Sequence, residues 1–378
     1  MPHKTPLYLL FGVMALLVAP LATPDELNPD PIIAQLGLRE GDTPMSERRG
    51  WSPQKVLVMT MPGYPELGAA YKDALRAAAG DMELVIPEGG LALTQETLAE
   101  VDGVIGFCTP KLLQAAGPQL RWVHNYSVGM DWCKGASEQQ LENVVFSNNQ
   151  RLSGPAIAEH TVAMLLALSR NLPAYLAAQA EGQWQRQLAT GVTFGELRGK
   201  TLLVAGLGGI GTEIARRAHG LGMRVIATRN SRREGPEFVE YVGLADELLT
   251  LAGRADVVVN ALPLTDRTTA LFDAKFFRAV KPGAIFLSVG RGKSTVTPDL
   301  IAALQSGRLY GAGLDVTDPE PLPKDSPLWQ MDNVIITPHV SAAGRDSRRR
   351  TLSIAVENLR RYVQGEPLLN VVDLRRGY

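Results

Sequence analysis

Five histidines occur in the chain, His3, His124, His160, His219 and His339. His339 is set apart by position, because it closes the apolar run NVIITP, where a buried strand would end. Two other polar residues follow comparable runs: Arg291 after AIFLSVG and Glu320 after GAGLDVTDP. An imidazole can donate or accept a proton near neutral pH. A guanidinium can hold a carboxylate or polarise a carbonyl. A carboxylate beside the imidazole orients it and favours its charged form. The three together suit proton transfer at an anchored, polarised oxygen. His3 belongs to the N-terminal apolar region, and His160 and His219 fall in helical stretches that favour structural roles. His124 lies in a strand ahead of a glycine turn, where either role is open.

A second constellation is glycine-rich. Gly206, Gly208, Gly209 and Gly211, with Ile210 between, fit G-x-G-x-x-G. The motif alone is weak in a chain with 37 glycines. Its context is specific: the strand-like TLLVA precedes it, a helical pattern follows, and MRVIAT arrives at the spacing of a βαβ unit. Gly206 permits the tight turn, Gly208 lets backbone approach a pyrophosphate, and Gly211 allows close helix–strand packing. The helix amino terminus then faces the phosphates. The constellation predicts a dinucleotide site, and the His/Arg/Glu set beside it predicts hydride transfer. A site for NAD(H) usually carries a carboxylate after the second strand. Residues 223–233 (MRVIATRNSRR) have none; they offer Arg229, Asn230, Ser231, Arg232 and Arg233. Arginine forks match phosphate oxygens, so NADP(H) is the expected cofactor, with NAD(H) possible.

The elements that must position these residues show in the hydropathy pattern. From Lys55, apolar runs of strand length alternate with helix-length segments: KVLVMT, ELVIP, GVIGF and RWVHNYS, with helices near 66–79, 94–101 and 110–116. A long helix follows Pro155. The alternation then restarts through TLLVAG, MRVIAT, DVVVNALP, AIFLSVG, GAGLDV and NVIITP. Such alternation predicts parallel strands with crossover helices. The expectation is α/β, with two doubly wound parallel-sheet domains and the site in the cleft between them.

Several segments in order now carry a resemblance: SVGMD, GPAIAEHTVAMLLALSR, ELRGKTLLVAGLGGIG, LPLTDRTTALFD, SVGRGKSTVTPDLIAAL, GLDVTDPEPLP, NVIITPHVS and NLRRYVQGEPLLNVVD. From about Lys55 to its carboxyl terminus the chain resembles the D-isomer-specific 2-hydroxyacid dehydrogenases, in particular glyoxylate/hydroxypyruvate reductase-like members of the NADP type. The resemblance implies a flavodoxin-like catalytic domain (55–153 and 341–378) around a Rossmann cofactor domain (154–340). It implies catalytic roles for Arg291, Glu320 and His339, and substrate-carboxylate binding by the amides of Ser127, Val128 and Gly129. It assigns Leu262, Pro263, Leu264 and Thr265 to the cofactor cleft, sets Asp315 against the nicotinamide carboxamide, and implies a homodimer. The implied reaction interconverts a 2-keto acid and a D-2-hydroxy acid.

Composition sets outer bounds. A formal net charge of −1 in 378 residues gives no sign of a general nucleic-acid binder. Cys108 and Cys133 have neither metal-ligand spacing nor the look of a disulfide framework, and read as small apolar residues; no metal is expected. Residues 1–22, with Lys4 ahead of an uncharged run, look like an export or anchoring leader and the only route to membrane contact. The alternative is a cytoplasmic protein starting at Met45. Residues 23–54 read as an extended linker with a short helix around 32–38. Two rivals to a 2-hydroxyacid enzyme are a nucleotide-sensing interaction protein on the same fold and an oxidoreductase of a smaller anion, such as formate or phosphite.

Overall fold

The computed structural model describes residues 27–60, 68–87, 95–133 and 135–376. The expected leader lies outside these residues. Two sheets form, each from short runs rich in Val, Ile, Leu and Ala that are covered on both faces. Such runs suit parallel strands flanked by helices.

The first sheet contains β1 (Lys55–Val58), β2 (Glu83–Val85), β3 (Gly103–Gly106), β4 (Trp122–Asn125) and β5 (Val145–Asn148). The second contains β6 (Thr201–Ala205), β7 (Arg224–Arg229), β8 (Tyr241–Leu244), β9 (Val257–Asn260), β10 (Ala284–Ser288), β11 (Leu309–Leu314) and β12 (Val334–Ile336). The short β13 (Val371–Val372) returns to the first sheet and pairs antiparallel with β5. The orders are β13-β5-β4-β3-β1-β2 and β12-β11-β10-β9-β6-β7-β8. In each sheet the direction of strand addition reverses, between β1 and β3 and between β6 and β9. These are the two doubly wound sheets expected from the alternation, and such reversals open a crevice at the carboxyl strand ends.

Helix Gly154–Ser169 packs under the second sheet. Its entry is set by Pro155 in the first turn, where a missing N–H costs nothing. Close approach is possible because β11 carries Gly311 and Gly313: a Cβ on Gly313 would lie 3.1 Å from Met164. The last long helix, Arg345–Gln364, ends at Gly365 in the left-handed conformation. It lies on the first sheet, with Tyr362 stacked on Trp122 at 5.0 Å and bonded to Asp102.

The stretch expected as an extended linker is folded onto this same unit from Leu27 onward. Leu27, Ile32, Leu38 and Met45 are buried, Trp51 donates to the Tyr362 carbonyl, and Glu40 bridges Leu369. The short helix is present as Asp30–Leu36, close to its expected place, and packs Ile32, Ile33 and Leu36 together; outside it the packed residues come singly. Each of these, Leu27, Met45 and Trp51, packs against a surface made by other elements, so no periodicity marks them. Cys108 and Cys133 are also corrected: they pair as a disulfide, with Cα atoms 4.9 Å apart. Their spacing of 25 residues carries no local signature; β3 and β4 are neighbours, and that brings the loops beyond them together. Among the described residues no single helix is long and apolar enough to cross a membrane.

Candidate active site

The glycine turn sits between β6 and helix Gly209–Gly220. Gly206 has φ 97°, and a Cβ there would stand 2.9 Å from the Ala261 carbonyl oxygen. Gly211 lies so close to β6 that a Cβ would meet the Gly206 carbonyl oxygen at 2.1 Å. Gly208 is different: nothing lies within 4 Å of its Cβ position. The turn is therefore tight on its protein side and open above Gly208. The helix start has no side-chain cap, so the N–H groups of its first turn remain for an anion. This cradle fits a dinucleotide pyrophosphate. Leu262, Pro263 and Thr265 follow β9 on the neighbouring strand end, with Leu262 over Gly206. Thr265 and Pro263 are tied together through the Thr268 hydroxyl.

Past β7 the basic loop divides. Arg229 is half-buried and its Nε has no partner among the described residues. Burial first, and then the guanidinium of Arg232, hold Arg229 below the usual arginine range. Ser231 and Arg232 are exposed beside it, as is Asn230. Arg233, offered by the sequence alongside the others, turns away to the Glu247 carboxylate at 2.7 Å and the Tyr241 hydroxyl.

His339 and Glu320 meet on the same edge, with His339 Nδ1 2.9 Å from Glu320 Oε1. Both side chains are partly open, 42% and 39% exposed. His339 has φ 54°, a left-handed conformation that is uncommon for a histidine. Such conformations cost about 1 kcal/mol or more and persist where the surroundings hold them. Here the holder is Asp315. Its carbonyl accepts from His339 N–H, and its carboxylate accepts from Thr337 Oγ1, Val340 N–H and Ser341 N–H. Burial opposes its charge, but the bonds from Ser341, Thr337 and Val340 outweigh it and keep the carboxyl below the usual range. Asp315 thus spends its acceptors chiefly on the loop that presents His339. His160 supports the same loop through Thr337 at 2.9 Å.

Arg291 follows β10 and reaches across the cleft. Its Nε donates to Asp131 Oδ1 at 3.0 Å and its Nη1 to the Gly290 carbonyl at 2.9 Å. Asp131 closes the turn that begins at Ser127. In that turn the carbonyls of Ser127 and Gly129 accept from Asn125 Nδ2, and that of Val128 from Asn148 Nδ2. Among the described residues no backbone acceptor faces the N–H groups of Ser127, Val128 or Gly129. The Arg291 guanidinium therefore stands against a turn whose amides have no backbone acceptor, an arrangement that would suit a carboxylate. Sequence reasoning missed Asp131, Asn125 and Asn148. The Asp of SVGMD was visible, but its partner lies 160 residues away. His124 is buried and bonded to Ser147, away from these groups.

Comparison with known proteins gives a consistent result. Residues 162–341 match the model of the D-isomer specific 2-hydroxyacid dehydrogenase NAD binding domain. The chain is 34% identical over 281 residues to glyoxylate/hydroxypyruvate reductase B of Citrobacter koseri, covering 74% of this chain and 86% of that protein. It is 33% identical over 284 residues to glyoxylate reductase of Pyrococcus furiosus, covering 72% and 82%. Among solved structures, a D-isomer specific 2-hydroxyacid dehydrogenase from Xanthobacter autotrophicus, in complex with NADPH and MES, aligns with TM-score 0.69 and 31% identity over 85% of this chain and 99% of that one. An NADPH-dependent glyoxylate/hydroxypyruvate reductase from Sinorhizobium meliloti, with NADP and sulfate, aligns with TM-score 0.71 and 28% identity over 86% and 100%.

Proposed function

The chain belongs to the D-isomer-specific 2-hydroxyacid dehydrogenase family, and from that premise we propose that it reduces a short 2-keto acid of the glyoxylate or hydroxypyruvate type with NADPH. It is an NAD(P)-dependent oxidoreductase of the CH–OH group. The arginine-bearing, carboxylate-free end of β7 supports NADP(H) over NAD(H), since a carboxylate there would repel a 2′-phosphate. The observation that carries the substrate class is Arg291, held by Asp131 against the amides of residues 127–129. Such an arrangement recognises a planar carboxylate with an adjacent carbonyl.

Bound nicotinamide supplies the hydride in reduction and takes it in oxidation. Arg291 and the three amides would clamp the carboxylate and keto oxygen, giving the orientation the reaction requires. His339 would donate a proton to the developing alkoxide, and Glu320 would fix the ring and balance its charge. In oxidation neutral His339 would accept that proton. Asp315 would act by holding the 337–341 loop, alongside its proposed contact to the nicotinamide carboxamide.

The decisive assay is NADPH and NADH oxidation by the purified protein with a panel of 2-keto acids. Turnover with NADPH preferred supports the reading, and Arg229→Asp should then weaken NADPH selectively. A folded protein that binds nucleotide but turns over no keto acid would favour a sensor, and turnover of formate or phosphite alone would favour the smaller-anion branch.

Two finer proposals accompany this one. Export, or anchoring, through residues 1–22 is supported by the Cys108–Cys133 bond, because disulfides persist mainly in oxidising compartments. Fractionation of cells expressing the full chain tests it; a wholly cytoplasmic, unprocessed protein rejects it. A homodimer is supported by exposed Leu172, Leu176 and Trp184 beside helix Gly154–Ser169. Sedimentation giving a monomer at micromolar concentration would reject that.

A further inference from the structure

We infer that the Cys108–Cys133 bond positions the substrate: it fastens the later half of the 127–133 turn to the segment after β3, and through Asp131 it sets where Arg291 meets the keto-acid carboxylate. The inference rests on the keto-acid reading and adds to it two positioning residues that lie behind the groups facing substrate.

The turn has little backbone bonding of its own. Among the described residues, the backbone–backbone bonds of positions 127–133 are Asn149 N–H to the Ser127 carbonyl at 3.4 Å and Cys133 N–H to the Met130 carbonyl at 2.9 Å. Side chains therefore hold it. Asn148 takes the Val128 carbonyl, and Asn125 Nδ2 reaches the carbonyls of Ser127 and Gly129. Past Met130 that hold passes to Cys133, which is buried and bonded to Cys108. Asp131 lies between the buried Met130 and the buried Cys133, while Trp132 beside it is exposed. The place of the Asp131 carboxylate thus follows from its two buried neighbours.

Cys108 is suited to be the fixed end. β3 ends two residues before it, and Thr109 after it caps helix Pro110–Ala115 by accepting from Leu112 N–H. Its own N–H donates to Asn125 Oδ1 at 3.2 Å. The Cys108 backbone therefore orients the amide that holds the first half of the turn, and the Cys108 sulfur holds the second half. Met130, Cys133, Leu112 and Leu113 share one apolar cluster with Cys108. From this cluster the link runs outward to Asp131, whose Oδ1 accepts from Arg291 Nε at 3.0 Å across the cleft. Without the bond, residues 131–133 can relax and Arg291 loses its fixed acceptor. A positioning group displaced by about 1 Å can cost about 10²-fold, so an anchor acting at one remove should cost less. The glycine turn at 206–211 belongs to the other sheet, and nucleotide binding should be untouched.

The test is steady-state kinetics of the full chain at saturating NADPH, with glyoxylate and hydroxypyruvate. It compares the parent, Cys108→Ala/Cys133→Ala, Asp131→Asn and the combination of all three substitutions. Alanine adds no hydroxyl to the buried space, and each protein is assayed below its own unfolding transition, followed by circular dichroism. KM should rise about tenfold in the double-alanine variant, with kcat reduced by less than about threefold. NADPH affinity by fluorescence should stay within about twofold, and Asp131→Asn should add less than about twofold to KM in that background, because both changes break one chain of contacts. Tyr362→Phe serves as a destabilised control. It loses the bond to Asp102 at the opposite strand ends of the same sheet, and KM should stay parental. If the double-alanine variant does not fold, Cys133→Val removes the bond while filling its space, and the same comparison is made there. A parental KM in a folded variant lacking the bond overturns the inference. Independent, multiplying effects of Asp131→Asn and the cysteine changes overturn it too, as does an equal rise of KM in Tyr362→Phe, which would reduce the bond to general stability. A parent that turns over no keto acid instead rejects the underlying reading, before any variant is made.

Discussion

The guanidinium of Arg291 occupies the space where a side chain on Gly129 would begin: a Cβ there would stand 1.5 Å from Arg291 Nη2. The two residues come from different sheets, and the contact brings a cation directly onto the turn that presents three free amides. Gly129→Ala must therefore displace the arginine or the turn. Loss of about 10²-fold in kcat/KM with a keto acid is expected, with Tm shifted by only a few degrees. Asp131→Asn should act in the same direction but more weakly, chiefly on KM, because it leaves the space and removes the anchor. If Asp131→Asn and Arg291→Ala had independent, additive effects on kcat/KM, the positioning role of Asp131 would be refuted.

Replacing His339 by Gln should remove most turnover while NADPH affinity stays within a few-fold. Stopped-flow measurement of single-turnover hydride transfer, beside NADPH fluorescence titration, checks both halves. Glu320→Gln keeps the hydrogen bond and removes the charge, so it should cost less than His339→Gln, by about tenfold. Near-parental kcat in His339→Gln would remove the histidine from the chemistry.

His124 is buried with its Nε2 unpartnered, and burial lowers its pKa from 6.5 to about 3, against a smaller opposing effect of Asn149. Between those values the unfolded chain takes up a proton that the folded chain refuses. Stability is then unaffected by this group above pH 6.5 and falls as the pH drops toward 3. The expected loss is about 2 kcal/mol between pH 7 and pH 5. Urea unfolding at both pH values should show this component in the parent and not in His124→Asn. An equal acid dependence in the two proteins would disprove it.

The disulfide closes a stretch with a sequence separation of 25, between the end of β3 and the turn that carries Asp131. Closing a loop of that size restricts the unfolded chain by about 3 kcal/mol. A Cys108→Ser/Cys133→Ser double variant should lose stability of that order in denaturant titration. Thiol titration of the unfolded parent without reductant should find no free thiol. Two free thiols, or equal stability, would dismiss the bond as a stabilising feature in solution.

The chain's own pattern was enough for what is local or repetitive. Runs such as TLLVA and DVVVN are buried on both faces, so their composition announces parallel strands and hence two doubly wound sheets. The glycine spacing of residues 206–211 is dictated by one strand–turn–helix unit, and the lack of a carboxylate after β7 is read in consecutive residues. His339, Arg291 and Glu320 could be nominated because each ends a strand-like run, and parallel strands share an edge. Tertiary structure decided the rest. That Asp131 anchors Arg291, that Cys108 meets Cys133, that Arg151 lies over Gly209, and that residues 27–54 are packed all depend on which elements become neighbours. No spacing along the chain encodes those contacts, because each joins a single side chain to a surface built by distant segments. The same holds for Arg233, which had the same credentials as Arg229 until Glu247 was placed beside it by the β7–β8 pairing.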